Sequence, residues 1–229
     1  MKDVKNKLKR NFKENKILVL SIIFTVLLIG YVVLPTLSEY KIATPTYTIT
    51  AWDGTIATSY SDGEGTEEKP YIISNGSELA YFASQLKTTN YEGKYFILSK
   101  DIILNKGIFS YNKTDGIKYN EDGEENTITP NLEDNKNIIN IFEQLNGFKG
   151  NLDGNNHIIY GLYIDKPVDD QNALFTNLEG NISNLYIKNS IIYGGKITAG
   201  IASKTKNSVL TNISYNGFVI SDEEIATKT

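Results

Sequence analysis

The fold of this 229-residue chain is decided by three short stretches: IYGLYI at residues 159–164, ISNLYI at 182–187 and LTNISY at 210–215. Each carries apolar or aromatic residues at its first, fourth and sixth positions, and the alignment of the copies uses offsets of 23 and 28. Short strands that recur at such intervals, with Gly and Asn between them, are typical of stacked solenoid coils. The pattern therefore predicts a mainly β solenoid with one continuous apolar core.

A second repeat, ALF at 173–175 and AGIA at 199–202, predicts another short strand in each coil. Because side chains alternate along a strand, Leu162 and Leu185 are expected to face the core, while Tyr163 and Tyr186 point outward. At equivalent positions of successive coils, these two tyrosines would form a ladder. We predict this ladder as the candidate binding face for a sugar ring or a protein. Plain cross-coil stacking that stabilises the sheet is the alternative.

The segment before these repeats contains one amphipathic helix and three strands. Residues 70–73, 95–98 and 102–104 are short apolar runs next to turn signals, and predict strands. Residues 77–87 place Leu79, Phe82, Ala83 and Leu86 on one stripe, which predicts a helix capped by Ser74 or Ser77. A helix this short is marginal alone, so it must pack on an apolar surface.

Residues 105–137 interrupt the pattern, because they are polar, acidic at 121–125 and poor in apolar residues. They predict a solvated insertion in the solenoid domain. A segment of this length without structure of its own is otherwise functional or disordered.

Residues 17–34 form an uncharged apolar run that divides the chain. As a helix the run reaches about 27 Å, close to a bilayer core of about 30 Å. Residues 1–16 carry a net charge of +5 and the chain after the run carries −9, which sum to the overall −4. The positive-inside bias then predicts a cytoplasmic tail (1–16), a transmembrane signal-anchor (17–34), an extracellular linker (35–51) and an extracellular domain (52–229). A cleaved signal peptide is the main alternative, and a buried soluble helix is a further one.

Composition excludes several classes of function. The chain has no Cys, so it can form neither disulfides nor thiolate metal sites. Its single Arg, Arg10, lies before the apolar run, and the remainder is acidic. Nucleic acid and acidic lipid are therefore excluded as partners of the domain, since phosphate contacts need clustered positive charge.

Several motifs resemble those of bacterial cell-surface proteins with GLUG-type repeats. They are WDG at 52–54, PYIIS at 70–74, YFIL at 95–98, DIILN at 101–105, FKGNLDGNNHII at 148–159 and NLYI at 184–187. The likeness covers roughly residues 52–220, with AGIA at 199–202 as a degenerate GLUG tetrapeptide. It implies a right-handed parallel β-helix with the helix capping its N-terminal end, and adhesin-like surface attachment. The chain lacks the family's usual Trp before Phe148, and its last coil has no evident cap.

The β-helix architecture also hosts lyases and hydrolases, so candidate catalytic groups need testing. Asp169 and Asp170 are the one adjacent Asp pair, in a Pro-containing turn that predicts a solvated corner. His157 follows Asp153 closely, and in the resembling family this motif is structural. We expect His157 to stabilise a turn and Asp153 to bind backbone amides there. The sequence thus predicts no catalytic residues and no cofactor.

Two acidic clusters, at residues 62–68 and 122–125, supply the carboxylates that calcium prefers. Neither cluster has the spacing of an EF-hand or of the glycine-rich calcium repeat. No metal site is therefore predicted.

Together these observations predict a membrane-anchored extracellular β-helix that attaches to a protein or glycan without catalysis. One alternative is a carbohydrate-processing β-helix related to lyases or hydrolases. Another is a truncated product or a subunit completed by a second chain, because the last coil (209–220) would expose strand edges.

Overall fold

The computed structural model describes residues 5–6, 50–121, 124–128 and 142–221. The chain divides into two compact units, Met1–Thr48 and Ile49–Thr229. The predicted transmembrane segment (17–34), and nearly all of the predicted tail and linker, lie outside the described residues and remain predictions. Within the described ranges, no helix is both long and apolar enough to cross a membrane.

The second unit contains one helix and a series of short strands. In chain order these are β1 (Tyr71–Ile73), α1 (Gly76–Gln85), β2 (Tyr95–Leu98), β3 (Ile102–Ile103), β4 (Ile108–Asn112), β5 (Gly116–Glu121), β6 (Glu124–Ile128), β7 (Asn151–Asp153), β8 (Ile158–Tyr160), β9 (Tyr163–Lys166), β10 (Gln171–Asn172), β11 (Asn181–Ser183), β12 (Tyr186–Gly194), β13 (Ile197–Thr198), β14 (Leu210–Thr211) and β15 (Ser214–Ser221).

The strands form the parallel faces of a solenoid. The first sheet has the order β1-β2-β7-β11-β14, and the second has the order β3-β8-β12-β15 with β9 also paired to β12. The third face pairs β10 with β13 and continues through a parallel bridge between Phe175 and Ala202. The predicted mainly β solenoid is therefore confirmed. The second repeat does form a face of each coil, but its strands lie at 171–172 and 197–198 rather than at the predicted 173–175 and 199–202.

The register of the coils differs from the predicted alignment. Leu152 pairs with Ile182, and Ile182 pairs with Leu210, so the predicted alignment of 182 with 210 is confirmed. The predicted alignment of 159 with 182 is wrong, because Ile159 pairs with Ile187 instead. The coil that runs from Leu152 to Ile182 is longer by two residues than the coil that runs from Ile182 to Leu210.

A longer corner after β7 explains the change of spacing. Asn155 and Asn156 adopt positive φ values of 50° and 61°, and the equivalent corner of the next coil is turned at Asn184 (φ 51°). Asn tolerates this left-handed region better than other side chains. At the next corner Gly161 has φ 73°, and a Cβ there would collide with the backbone of Asn105 in the coil below. Only glycine satisfies both conditions.

Helix α1 spans Gly76–Gln85, close to the predicted 77–87. Its N-cap is Asn75 rather than Ser74 or Ser77, because the Asn75 side chain accepts a hydrogen bond from the Glu78 amide at 2.9 Å. The Glu78 carboxylate in turn accepts from the Ser74 amide at 2.6 Å. These reciprocal bonds satisfy amides that a helix N-terminus otherwise leaves unpaired.

The apolar stripe of α1 packs into the main core, as predicted. Phe82 is fully buried, and its ring lies 4.6 Å from that of Phe96 and 5.2 Å from that of Phe148. This cluster continues through Leu152, Ile182 and the inward residues of later coils. The helix and the coils therefore share one core.

The predicted solvated insertion (105–137) has structure of its own. Strands β4, β5 and β6 form a three-stranded antiparallel sheet within it. Asn112 turns the first hairpin, since its side chain accepts from the amides of Thr114 and Asp115, and Gly116 follows with φ 76°. The expectation of a solvated insertion is wrong for these strands, because Phe109, Ile117 and Tyr119 are buried.

This sheet covers part of the solenoid surface. Phe109, Ile117 and Tyr119 are buried against Tyr163 and Ile191, and together form a second hydrophobic cluster. The ring of Phe109 stacks on that of Tyr163 at 5.7 Å. An apolar surface that sequence alone would assign to solvent is thus covered by the insertion.

The last coil of the described chain is more exposed than the others. Leu210, Phe218 and Val219 are 40%, 37% and 44% exposed, whereas their counterparts one coil earlier are buried. Residues 222–229, which follow this coil, lie outside the described residues.

Candidate functional site

A shallow groove of about 540 Å³ runs along the outer face of the first sheet. Strands β2, β7, β11 and β14 supply its floor, and Glu67 and Pro70 lie beside them. Because the floor is made of hydrogen-bonded strands rather than loops, the side chains in it have fixed spacing.

Two rows of outward side chains form this floor. Phe96, Leu152 and Ile182 are at most 2% exposed, so the residues on either side of each point away from the core. The first row contains Tyr95, Asn151 and Asn181, and the second contains Ile97, Asp153, Ser183 and Thr211. Val209 also lines the groove, so its floor carries apolar as well as polar side chains.

Five polar groups of the groove make no hydrogen bond to the part of the protein that the structure describes. They are the Tyr95 hydroxyl, Asn151 Nδ2, Asp153 Oδ2, Ser183 Oγ and Thr211 Oγ1. Four of these side chains are partly buried, and only that of Thr211 is exposed. Partly buried polar groups without a protein partner are satisfied by water or by a ligand. The groove is therefore the strongest candidate site for a polar ligand.

The Asp153 carboxylate is held in place by the corner that follows it. Its Oδ1 accepts a hydrogen bond from the Asn155 amide at 2.8 Å and another from Asn184 Nδ2 at 3.0 Å. The first contact confirms the predicted bond between Asp153 and a backbone amide of the turn. With Oδ1 occupied on both sides, Oδ2 is the oxygen left for a ligand.

A ladder of amides fixes the other row. Asn181 Nδ2 donates to Asn151 Oδ1 at 2.9 Å, and the Val209 amide donates to Asn181 Oδ1 at 3.1 Å. These bonds cross three coils. They leave Asn151 Nδ2 as a fixed donor in the groove.

Tyr163, half of the predicted binding face, does not lie on an open surface. It is 1% exposed beneath the antiparallel sheet, and its hydroxyl donates to Asp165 Oδ2 at 3.0 Å. Burial raises the pKa of the Tyr163 hydroxyl and also that of the Asp165 carboxyl. The expectation that Tyr163 points to solvent is wrong, because the insertion supplies apolar side chains that cover it.

Tyr186, the other half, is partly buried and is not a neighbour of Tyr163. It pairs with Ile158 on one side and with Ser214 on the other, while Tyr163 pairs with Ile191. The Tyr186 hydroxyl donates to Asn156 at 3.2 Å and accepts from Asn212 at 2.9 Å. The predicted tyrosine ladder is therefore wrong in register, whereas binding by Tyr186 itself stays a prediction.

Asp169 and Asp170 lie at an exposed corner, as predicted. The corner borders a cleft of about 720 Å³, where Asp170 pairs with Lys196 at 3.1 Å and Glu143 pairs with Lys166 at 3.4 Å. Both ion pairs are solvent-accessible and add little stability. Asp170 and Glu143 are therefore held in ordinary surface ion pairs.

His157 binds a neighbouring coil rather than its own turn. Its Nδ1 lies 3.1 Å from Asp101 Oδ1, and the same oxygen accepts from the Ile158 amide at 3.0 Å. The His157 side chain, directly before β8, thus links its coil to the preceding coil, where Asp101 lies directly before β3.

Metal ligands do not converge in the described ranges, where no three His, Asp or Glu side chains lie close enough to hold an ion. In the first acidic cluster, Glu64 pairs with Lys69 at 2.9 Å. The side chains of the second cluster lie outside what the structure describes.

Comparison with known proteins finds a curated relative of very different length. Over 181 residues the chain is 28% identical to Halomucin from Haloquadratum walsbyi (strain DSM 16790 / HBSQ001). This chain is similar to part of Halomucin. The aligned region covers 78% of this chain but only 2% of Halomucin, so the chain spans a small fraction of that relative's length. No protein-family model matches, and the resemblance to GLUG-type proteins stays a prediction. No solved structure matches.

The residues of the groove were missed by sequence reasoning, although a signal for them exists. The segments FKGNLD (148–153) and LEGNIS (178–183) occupy equivalent positions of successive coils, and each places Asn and an acidic or hydroxyl residue around one buried position. The alignment of 159 with 182 hid this repeat. The similarity to Halomucin does not single out these positions.

Proposed function

We propose that this chain is a membrane-anchored surface protein that attaches to an extracellular glycan or protein without catalysis. In this proposal residues 17–34 span the membrane, the N-terminus is cytoplasmic, and a right-handed solenoid presents the groove outside the cell. The observation that carries the proposal is the set of polar groups in the groove that make no hydrogen bond within the part of the chain that the structure describes. The solenoid fold and the similarity to Halomucin support a surface protein.

The surroundings of the carboxylates support binding rather than catalysis. Asp153, which lies in the groove, uses one oxygen to hold its own corner. Asp101, which does not line the groove, uses one oxygen to bind His157 and a backbone amide. Asp170 is exposed beside Lys196. An acid–base pair needs two groups that face one substrate bond, and Asp101, Asp153 and Asp170 lie in different places, with Asp153 in the groove and Asp170 at the other cleft.

The groove can be tested with a double substitution, Asn151→Ala with Ser183→Ala, in the full-length chain. Each hydrogen bond to a ligand contributes about 0.5–1.5 kcal/mol. We therefore expect the pair to lower affinity by roughly tenfold or more, as measured by titration calorimetry against the strongest ligand found with a glycan array and a panel of purified extracellular proteins.

Ser214→Ala with Asn216→Ala is the matched control, because it also removes one Ser and one Asn side chain, but from exposed positions of the second sheet. This control should bind like the wild type. Equal binding by both double variants would exclude the groove, and depolymerisation of any arrayed glycan would overturn the non-catalytic proposal.

The anchor can be tested with topology reporters fused after Tyr40. We expect an extracytoplasmic signal, because the basic residues before Ile17 stay in the cytoplasm. Neutralising the seven basic residues of 1–16 should erode that orientation. A reporter active solely in the cytoplasm would contradict the proposed topology.

A further inference from the structure

We propose that the groove binds a linear, uncharged polysaccharide that lies along the solenoid axis and crosses one strand after another. This inference rests on the attachment function proposed above and names the ligand class of the same groove. Protein partners and acidic polysaccharides are the outcomes that would contradict it.

The direction of the ligand follows from the repeat of the floor. Equivalent positions recur at each parallel strand, as Tyr95, Asn151 and Asn181 do in the first row. Neighbouring strands lie about 4.8 Å apart, so the five strands of the sheet extend for roughly 19 Å. What repeats is the spacing of these positions rather than the identity of their side chains. A linear polymer repeats its hydroxyl groups along its length and can therefore place one at every strand, whereas the polar groups of a folded protein surface have no such repeat.

The chemistry of the unpaired groups matches sugar hydroxyls. Asn151 Nδ2 is a donor, Asp153 Oδ2 is an acceptor, and the Ser183 and Thr211 hydroxyls can act as either. Sugar hydroxyls likewise donate and accept, so they can satisfy all of these groups. Tyr95 adds an aromatic ring at the end of the groove near Pro70, where a sugar ring can pack.

The negative charge of the groove favours uncharged over acidic polysaccharides as ligands. Glu67 and Asp153 are its charged residues, and no Lys, Arg or His lies among the described residues that line it. Uronic acids or sulfated sugars would bring negative charge beside these two carboxylates, and like charges in contact are unfavourable. The overall net charge of −4 acts in the same direction.

The test uses the full-length protein and pairs of polysaccharides that differ only in charge. Dextran, mannan and hydroxyethyl cellulose are each titrated beside the carboxymethyl derivative of the same backbone. We expect at least one uncharged polymer to bind, and its carboxymethyl form to bind about tenfold more weakly at low salt. Raising the salt concentration should bring the affinities for the two forms closer together, because exposed charges are screened.

Asp153→Asn with Glu67→Gln should reduce the ratio of the affinity for the uncharged polymer to the affinity for its carboxymethyl form to about threefold or less. The double substitution removes both groove carboxylates and keeps the Oδ1 acceptor of residue 153. Asp170→Asn with Glu143→Gln changes the net charge by the same amount at the other cleft. This matched control should leave the ratio as it is in the wild type.

A series of oligosaccharides of the bound polymer tests the direction of the ligand. Affinity should rise with each added sugar until the ligand spans the sheet, and then level off. A disaccharide that binds as tightly as the polymer would overturn the lengthwise arrangement.

The two proposals fail in different ways. If carboxymethyl polymers bind as tightly as the uncharged polymers or more tightly, the proposed ligand class is wrong, but attachment through the groove still stands. The same holds if the protein binds only a protein ligand and Asn151→Ala with Ser183→Ala weakens that binding. If those groove substitutions change no binding at all, the proposed function fails as well.

Discussion

Leu185→Asp is expected to unfold the C-terminal coils. Leu185 is fully buried in the main core, between the corner at Gly154 and the last coil, whose Ser214 amide donates to the Leu185 carbonyl oxygen at 3.1 Å. A carboxylate there would lie among the apolar side chains of the core, and its burial costs several kcal/mol. Since a domain of this size is stable by about 5–15 kcal/mol in total, much of the native stability would be lost.

The measurement is urea denaturation of the full-length chain followed by far-UV circular dichroism. Lys188→Asp is the matched control, because it places the same side chain at an exposed position of β12, the strand that begins directly after Leu185, and should change stability by no more than about 0.5 kcal/mol. Burial raises the pKa of the introduced carboxyl, so the defect should lessen as the pH falls and the group becomes neutral. Toleration of Leu185→Asp together with unfolding by Lys188→Asp would reverse the inward and outward assignments.

Phe82→Ala is expected to reduce the free energy of unfolding by about 3–5 kcal/mol. The Phe82 ring is fully buried between the helix and the first coils, with the rings of Phe96, Phe148 and Tyr91 within 5.7 Å. Truncation removes these contacts and leaves a cavity that the rigid sheet can fill only in part. Urea denaturation at constant m-value measures the loss.

Gln85→Ala provides the comparison for this variant, because Gln85 lies in the same helix but is partly exposed. It should change stability by less than about 1 kcal/mol. A loss below about 0.5 kcal/mol for Phe82→Ala would show that the helix is not packed on the coils.

The solenoid is predictable from sequence because its inward positions are strongly apolar. Alternation alone assigns Leu162 and Leu185 to the core, and both are fully buried. The register is harder to predict, because strands of two to four residues align almost equally well at several offsets. The longer corner at Asn155 and Asn156 shifts one repeat relative to the other.

The candidate site could not be predicted from the same signals. Asn151 and Ser183 are ordinary residues in an Asn-rich chain. Their importance comes from Asn151 Nδ2 and Ser183 Oγ, which make no hydrogen bond to the described part of the protein, and only the structure reveals this. The prediction for Tyr163 failed for the opposite reason. Tyr163 is covered by apolar residues of the insertion, such as Phe109 and Tyr119. The sequence does not indicate on which surface of the solenoid these residues pack.

The insertion also has an entropic consequence for folding. Pairing Phe96 with Leu152 closes a loop nearly twice as long as the loop closed by pairing Leu152 with Ile182. Because loop-closure entropy grows only with the logarithm of length, this doubling costs about 0.6 kcal/mol. Burying one large ring such as that of Phe109 contributes about 1.5–3 kcal/mol, which more than offsets that cost. Loop closure is therefore a small obstacle to a long excursion between two coils, and the larger cost of ordering the excursion itself must be offset by the apolar face that it buries on the coils.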